Sequence, residues 1–140
     1  MKFSLIICTY QRPKPLLQLL QSVQEQTLYP DEILIIDGST NEATQFILEQ
    51  NHFQNVHYFL VPKEHRGLTK QRNFGIDKVS ADGEIVCFLD DDTVLSTDYF
   101  EQLVTTFQSD VTISGVGGVA TNENKWKAKK EGEHFNPKHY

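Results

Sequence analysis

Three consecutive aspartates, Asp90, Asp91 and Asp92, directly follow the apolar stretch Glu84–Leu89 (EIVCFL) and are the sharpest chemical signal in the sequence. Two like charges about 4 Å apart repel by roughly 1 kcal/mol in water, and by about 4 kcal/mol at an effective dielectric of about 20. Three carboxylates crowded at a strand end therefore demand a cation, a basic side chain or raised pKa values. Hard oxygen ligands in a partly open site suit Mg²⁺ or Mn²⁺, with water and phosphate oxygens filling the remaining positions. A solvated acidic turn that caps a helix is the alternative.

Other residues could serve the same chemistry. Asp37 ends the apolar run ILIID and precedes Gly38-Ser39. A carboxylate there can accept hydrogen bonds from a nucleobase N–H or a ribose hydroxyl, although Asp-Gly-Ser is also ordinary turn chemistry. Thr9, Tyr10 and Arg12, after the first apolar run, offer hydroxyls, an aromatic face and a cation to a ligand. Lys63, His65, Arg66, Lys70 and Arg72 form a basic stretch in an acidic chain, and Gly67 within it lets backbone approach a ligand closely. Arg72 can pair with a phosphate or with Asp90; the lysines read equally as a solvated helix face.

Several alternatives are weak. There is no GxxxxGK[ST] loop, and Gly115-Val116-Gly117-Gly118 lacks the GxGxxG spacing. Cys8 and Cys87 lie in apolar runs without a CxxC partner, which argues against a disulfide or zinc framework and for inert thiols. His134 and His139, with Glu131 and Glu133, could bind a metal but suit a solvated tail.

The elements that must position these residues follow from periodicity. Phe3–Cys8, with its continuously apolar core, and Ile33–Asp37 read as buried strands, and Val56–Val61 and Glu84–Leu89 as a third and a fourth. Helices are expected from Pro13 to about Gln26, from a Ser39/Glu42 capping box to about Asn51, from about Thr69 to Val79, and from a Thr97 cap through Phe107. Val111–Val119 reads as a fifth, glycine-containing strand. The β-α alternation predicts an α/β fold, a three-layer Rossmann-like arrangement with a mostly parallel sheet and right-handed crossovers. Ligands bind beyond the carboxyl ends of such strands, which is where Cys8–Arg12, Asp37–Ser39 and Asp90–Asp92 fall. Residues 1–120 read as the domain and 121–140 as a polar tail that Trp126, Phe135 and Tyr140 could dock, or as the start of a further half.

Composition bounds the function. The 140 residues carry a formal charge of -6, with 39% hydrophobic and 23% charged residues. An acidic globular domain of this kind argues against a broad nucleic-acid or membrane-headgroup surface. No apolar run approaches the roughly 18 residues of a membrane span, and the apolar core of the start is shorter than the roughly 7 residues a secretory signal needs. A cytoplasmic, reducing setting is expected, with partners able to hold the protein at the inner face of the membrane.

Together these residues resemble the nucleotide-binding half of family 2 glycosyltransferases of the GT-A fold. Thr9-Tyr10-Gln11-Arg12 is similar to the family's Thr-Tyr-Asn-Arg opening, and Ile35-Ile36-Asp37-Gly38-Ser39-Thr40 to its Asp-Asp-Gly-Ser-Thr segment. Gly67 through Arg72-Asn73 matches the Gly…Ala-Arg-Asn helix, and Phe88-Leu89-Asp90-Asp91-Asp92 the Asp-x-Asp signature. The likeness covers residues 4–119. Gln11 stands where the family has Asn, Cys8 where Pro is common, and the Asp37 segment is one residue shorter.

The resemblance implies transfer of a sugar from a nucleotide-sugar, most often a UDP-sugar, with Mg²⁺ or Mn²⁺. By the same resemblance Thr9, Tyr10 and Arg12 border the nucleotide, Asp37 bonds the base, and Arg72 lies near the base or diphosphate. Asp90 and Asp91 face ribose and sugar, while Asp92 holds the metal, with Asp90 as a second candidate ligand. The acceptor (a glycan, a lipid-linked sugar or a protein) and the catalytic base are unassigned. A chain that ends soon after the fifth strand is expected to be a truncated transferase lacking its acceptor-binding half, and an uncovered sheet edge could drive self-association. A nucleotide-sugar-binding or regulatory remnant is one rival. A haloacid-dehalogenase-like phosphatase is the other, since Asp90-Asp91-Asp92-Thr93-Val94 fits its opening string with Asp90 as nucleophile and Asp92 as acid/base. That family needs a later Lys and acidic pair, yet only 48 residues follow Asp92 and no Asp follows Asp110.

Overall fold

A computed structural model describes residues 1–121. Four strands, β1 (Phe3–Thr9), β2 (Glu32–Asp37), β3 (Val56–Leu60) and β4 (Ile85–Asp90), form one sheet in the order β3-β2-β1-β4. Every pairing is parallel. The connecting helices are α1 (Pro13–Gln24), α2 (Ala43–Gln50) and α3 (Leu68–Lys78), the last preceded by a short 3₁₀ turn at Lys63–His65, and α4 (Tyr99–Ser109) follows β4.

Strand alternation divides the apolar residues between two faces. Leu5, Ile7, Ile33, Ile35 and Cys87 pack with Leu16, Leu19 and Val23 of α1 and with Phe100 and Leu103 of α4. Ile6, Leu34 and Ile36 face the other way, where Phe74 of α3 packs. These are the two helical layers of the expected α/β/α arrangement. The β1 and β2 strands are central and buried on both faces, which is why they read as unbroken apolar runs. On the outer strand β4, Val86 and Phe88 are partly exposed. Helix α3 lies close to the sheet because its Gly75 has no side chain: a Cβ there would meet Ile6 Cγ2 at 2.8 Å.

Three expectations are corrected. Val111–Val119 is not a strand, and Val111 and Val119 are exposed; Gly115, Gly117 and Gly118 weaken any strand through that segment. The Ser39/Glu42 capping box does not form, since α2 begins at Ala43 with no side-chain cap. Ser39 is instead spent on its own turn, its N–H donating to Asp37 Oδ1 at 2.9 Å and its Oγ accepting from Gln11 N–H at 2.7 Å. Nor does Thr97 cap α4: Asp98 takes that position, and the Thr97 carbonyl accepts from Thr27 N–H at 2.8 Å. The tail residues Trp126, Glu131, Glu133, His134, Phe135, His139 and Tyr140 lie outside the described residues.

Candidate functional site

The carboxyl ends of β1, β2 and β4 bring the chemistry-bearing residues to one edge. Register sets their partners, because Thr9 stands opposite Asp37 and Cys8 opposite Asp90. Alternation then splits the acidic triplet between the two faces of the sheet. Asp90 continues the Val86 and Phe88 row toward α3, where Arg72 Nη2 approaches Asp90 Oδ1 at 3.6 Å and the guanidinium lies 5.7 Å from the Phe88 ring centroid. Asp91 continues the opposite row. It accepts the Thr9 hydroxyl at 2.9 Å through Oδ2 and Arg12 Nη1 at 3.2 Å through Oδ1. Arg12 also reaches Asp92 Oδ2 at 3.4 Å. The crowding that the triplet implied is relieved by two arginines, one on each side.

Exposure differs sharply across the triplet. The side chains of Asp90 and Asp92 are mostly open, at 70% and 55%, while the residue Asp91 is 7% exposed. Burial raises the Asp91 pKa above the ordinary carboxylate value, against the lowering pull of the Thr9 hydrogen bond and the Arg12 charge. The loop after the triplet is tied to α1: Leu95 N–H donates to Ser22 Oγ at 3.2 Å, and Gln26 Nε2 to the Ser96 carbonyl at 2.6 Å. Among the described residues no group of three or more His, Cys, Asp or Glu side chains converges into a metal-holding cluster.

Asp37 is wholly buried. Besides the Ser39 N–H on Oδ1, its Oδ2 accepts the Tyr58 hydroxyl at 2.6 Å. Burial, and then this bond, push the Tyr58 pKa up. The expectation that Asp37 offers an open carboxylate to a ligand therefore meets a side chain with no exposed surface and a partner for each oxygen.

A cavity of about 490 Å³ opens at this edge, lined by Thr9, Tyr10, Arg12, Arg66, Gly67 and Asp91, with Cys8, Leu68 and Gln71 completing its wall. Thr9, Tyr10, Arg12 and Asp91 come together in this lining, whereas Asp37, Arg72, Asp90 and Asp92 are not part of it. Burial pushes the Cys8 thiol up to about 11 and the Cys87 thiol likewise, which disfavours the reactive thiolate.

Gln71 was not singled out by its sequence. It is 4% exposed, and its Nε2 donates to the Thr9 carbonyl at 3.1 Å and to the Ile36 carbonyl at 2.9 Å. Its Oε1 accepts from Gly67 N–H at 3.1 Å. One side chain thereby ties the ends of β1 and β2 to the start of α3. Gly67 has φ +113°, a backbone state that side chains other than glycine's disfavour. Helical spacing did carry a signal for Gln71, because it stands four residues before Gly75 on the face that meets the sheet.

The profile described as Glycosyl transferase family 2 matches residues 4–140. The chain belongs to that family. Membership sets aside the phosphatase alternative. Curated relatives of this family 2 chain include the Escherichia coli UDP-Gal:alpha-D-GlcNAc-diphosphoundecaprenol beta-1,3-galactosyltransferase, 34% identical over 71% of this chain and 37% of the relative. The putative glycosyltransferase EpsH of Bacillus subtilis is 30% identical over 74% of this chain and 29% of its own length. Among solved structures, Staphylococcus aureus TarS 1-349 in complex with UDP-GlcNAc superposes with a TM-score of 0.66 at 26% identity, covering 78% of this chain and 32% of that one. The family 2 chain thus spans about a third of the length of these relatives. Its fold is that of the GT-A glycosyltransferases. No helix among the described residues is long and apolar enough to cross a membrane.

Proposed function

We propose that this protein takes part in transfer of a sugar from a nucleotide-sugar donor, a UDP-sugar, to an acceptor, and that the described residues form the donor site. The observation that carries this reading is the cavity where Thr9, Tyr10, Arg12 and Asp91 meet at the carboxyl edge of a parallel sheet. A ligand there would find a hydroxyl, an aromatic face half open to solvent and a guanidinium. The family and the UDP-GlcNAc bound by the similar TarS structure favour a nucleoside diphosphate as that ligand.

Thr9, Tyr10 and Arg12 would border the nucleotide. Asp37 would bond the base by exchanging the Tyr58 hydroxyl or the Ser39 N–H that its buried carboxylate now holds. Asp91, held by Thr9 and Arg12, would face ribose or sugar, with Asp90 beside it and Arg72 near the diphosphate. The open carboxylates of Asp92 and Asp90 fit Mg²⁺ or Mn²⁺, because such ions accept one or two carboxylates and take their other ligands from water and phosphate. That ion would supply charge neutralisation on the departing nucleoside diphosphate. Arg12 and Arg72 would then exchange part of their pairing with the triplet for the ligand. Such interactions accelerate transfer only as far as they strengthen when negative charge grows on the leaving group.

Titration calorimetry with UDP, GDP and dTDP, each with and without Mn²⁺, tests the reading. Metal-dependent binding of one nucleotide that is lost in Asp92→Ala is the expected result. Absence of binding by all three overturns it.

A further inference from the structure

Arg12, Arg66 and Arg72 are the protein's three arginines. Two of them are paired with the acidic triplet, Arg12 with Asp91 and Asp92 and Arg72 with Asp90. Arg66 has no ion pair among the described residues. Its Nε is buried without a hydrogen-bond partner, although its side chain forms part of the wall of the cavity that also holds Tyr10, Arg12 and Gly67. A guanidinium N–H removed from water and given no acceptor is destabilising, and more so because the group stays charged at any physiological pH. Its Nε is thus an unused donor on a residue that lines an open volume.

Its neighbours favour an anion. Gly67, the next residue, is the N-cap of α3 and has no side chain of its own with which to cap the helix. No acidic residue lies in the first turn of α3, and Asp91, the carboxylate in the same cavity lining, is already held by Thr9 and Arg12. Gln71 holds Gly67 N–H and the ends of β1 and β2, which fixes the backbone on which Arg66 is mounted.

We infer that Arg66 is a ligand-binding residue of the donor site and takes an anionic phosphoryl oxygen of the donor nucleotide. The inference deepens the donor-site reading and rests on it for the identity of the ligand. A forked, always charged donor suits a phosphoryl group better than a neutral base carbonyl, because charge-assisted bonds are about twice as strong as neutral ones. Arg66 would thus add a positive charge that the acidic triplet does not already neutralise.

The test compares UDP, uridine and inorganic pyrophosphate binding by calorimetry, with Mg²⁺ present throughout, in the parent protein, Arg66→Gln and Arg66→Lys. Arg66→Gln is expected to weaken UDP about tenfold or more and to leave uridine unchanged, with Arg66→Lys in between. Unchanged UDP affinity in Arg66→Gln overturns the inference while the donor-site reading stands. Equal weakening of UDP and uridine also overturns it, by moving the contact to the nucleoside. A parent that binds pyrophosphate but not UDP defeats the donor-site reading alone, and loss of pyrophosphate affinity in Arg66→Gln then still supports the anion contact. A parent that binds neither overturns both. Should Arg66→Gln fail to fold, Arg66→Lys decides: reduced UDP affinity with unchanged uridine supports the contact, and unaltered affinity for both overturns it.

Discussion

Tyr58 reaches diagonally across the sheet to Asp37, its hydroxyl donating to Oδ2 at 2.6 Å. The Cα of Tyr58 is in register with Ile35, two residues before Asp37 and on the same face. A long side chain spans such a diagonal. Because Asp37 is fully buried, the Tyr58 hydroxyl is a structural partner of the carboxylate.

Tyr58→Phe is therefore expected to destabilise the fold by about 1–3 kcal/mol, the usual penalty for leaving one buried acceptor unpaired. Urea denaturation measures it. The midpoint should fall with little change in slope, because the surface exposed on unfolding is nearly the same. An unaltered midpoint would mean that the bond contributes nothing net.

Asp91 carries a pH dependence whose sign is set by burial. Its folded-state pKa is raised above the ordinary value. The folded state therefore holds this proton more tightly than the unfolded chain, and protonation of Asp91 favours folding. Relative to Asp91→Asn, the parent protein should gain stability as pH falls from 7 toward about 4, where an unfolded Asp titrates. Melting temperatures of both proteins across that range give the difference directly. A difference that is flat, or that shrinks on acidification, contradicts the burial argument. Glu32 has the opposite sign: hydrogen bonds from Ser4 and Ser80 outweigh burial and lower its pKa, so its contribution is lost on acidification.

The strands, the parallel sheet and the edge that gathers Thr9, Arg12 and Asp91 were legible in the sequence because an unbroken apolar run has few other uses. The roles within that edge were less so. Asp37 and Asp91 look like open carboxylates in one dimension, and only the registers of β2 against β3 and of β1 against β4 reveal that each is covered. Ser39 with Glu42 satisfies a capping pattern, yet a tertiary partner, the Gln11 N–H, takes the hydroxyl first. Val111–Val119 has apolar content but too much glycine to hold a strand. Gln71 has no motif of its own, since a buried amide is recognised by the backbone groups around it.

Removing that amide gives a clear expectation. Gln71→Leu keeps the apolar bulk but leaves the Ile36 and Thr9 carbonyls and Gly67 N–H without their side-chain partner. A loss of about 2–4 kcal/mol follows if two of these three groups stay unsatisfied. Hydrogen exchange at Gly67 and at the first turn of α3 should rise more than exchange in α1. Uniform acceleration would show instead that Gln71 acts on global stability alone.

Gly75→Ala sets two effects against each other. Alanine favours a helix interior over glycine by about 1 kcal/mol. Its Cβ would lie 2.8 Å from Ile6 Cγ2 and 3.3 Å from Ile36 Cγ1, and overpacking a close-packed site typically costs about 1–3 kcal/mol. The net expectation is a loss of about 1 kcal/mol in denaturant unfolding, and a gain would mean that Ile6 repacks freely.

Gln11 sits at φ +49°, in the left-handed region that Asn tolerates better than Gln. It departs from the Asn of the resembling motif, and its backbone still needs that conformation because Gln11 N–H bonds Ser39 Oγ. The bond from Gln11 Nε2 to Thr40 Oγ1, at 2.6 Å, is exposed and contributes little against competing water. Relief of backbone strain should therefore win in Gln11→Asn, giving a rise of about 0.5–1 kcal/mol and a higher melting temperature. If the melting temperature falls, the Thr40 bond outweighs the strain, and the loop between β1 and α1 is held by side chains more than by its turn.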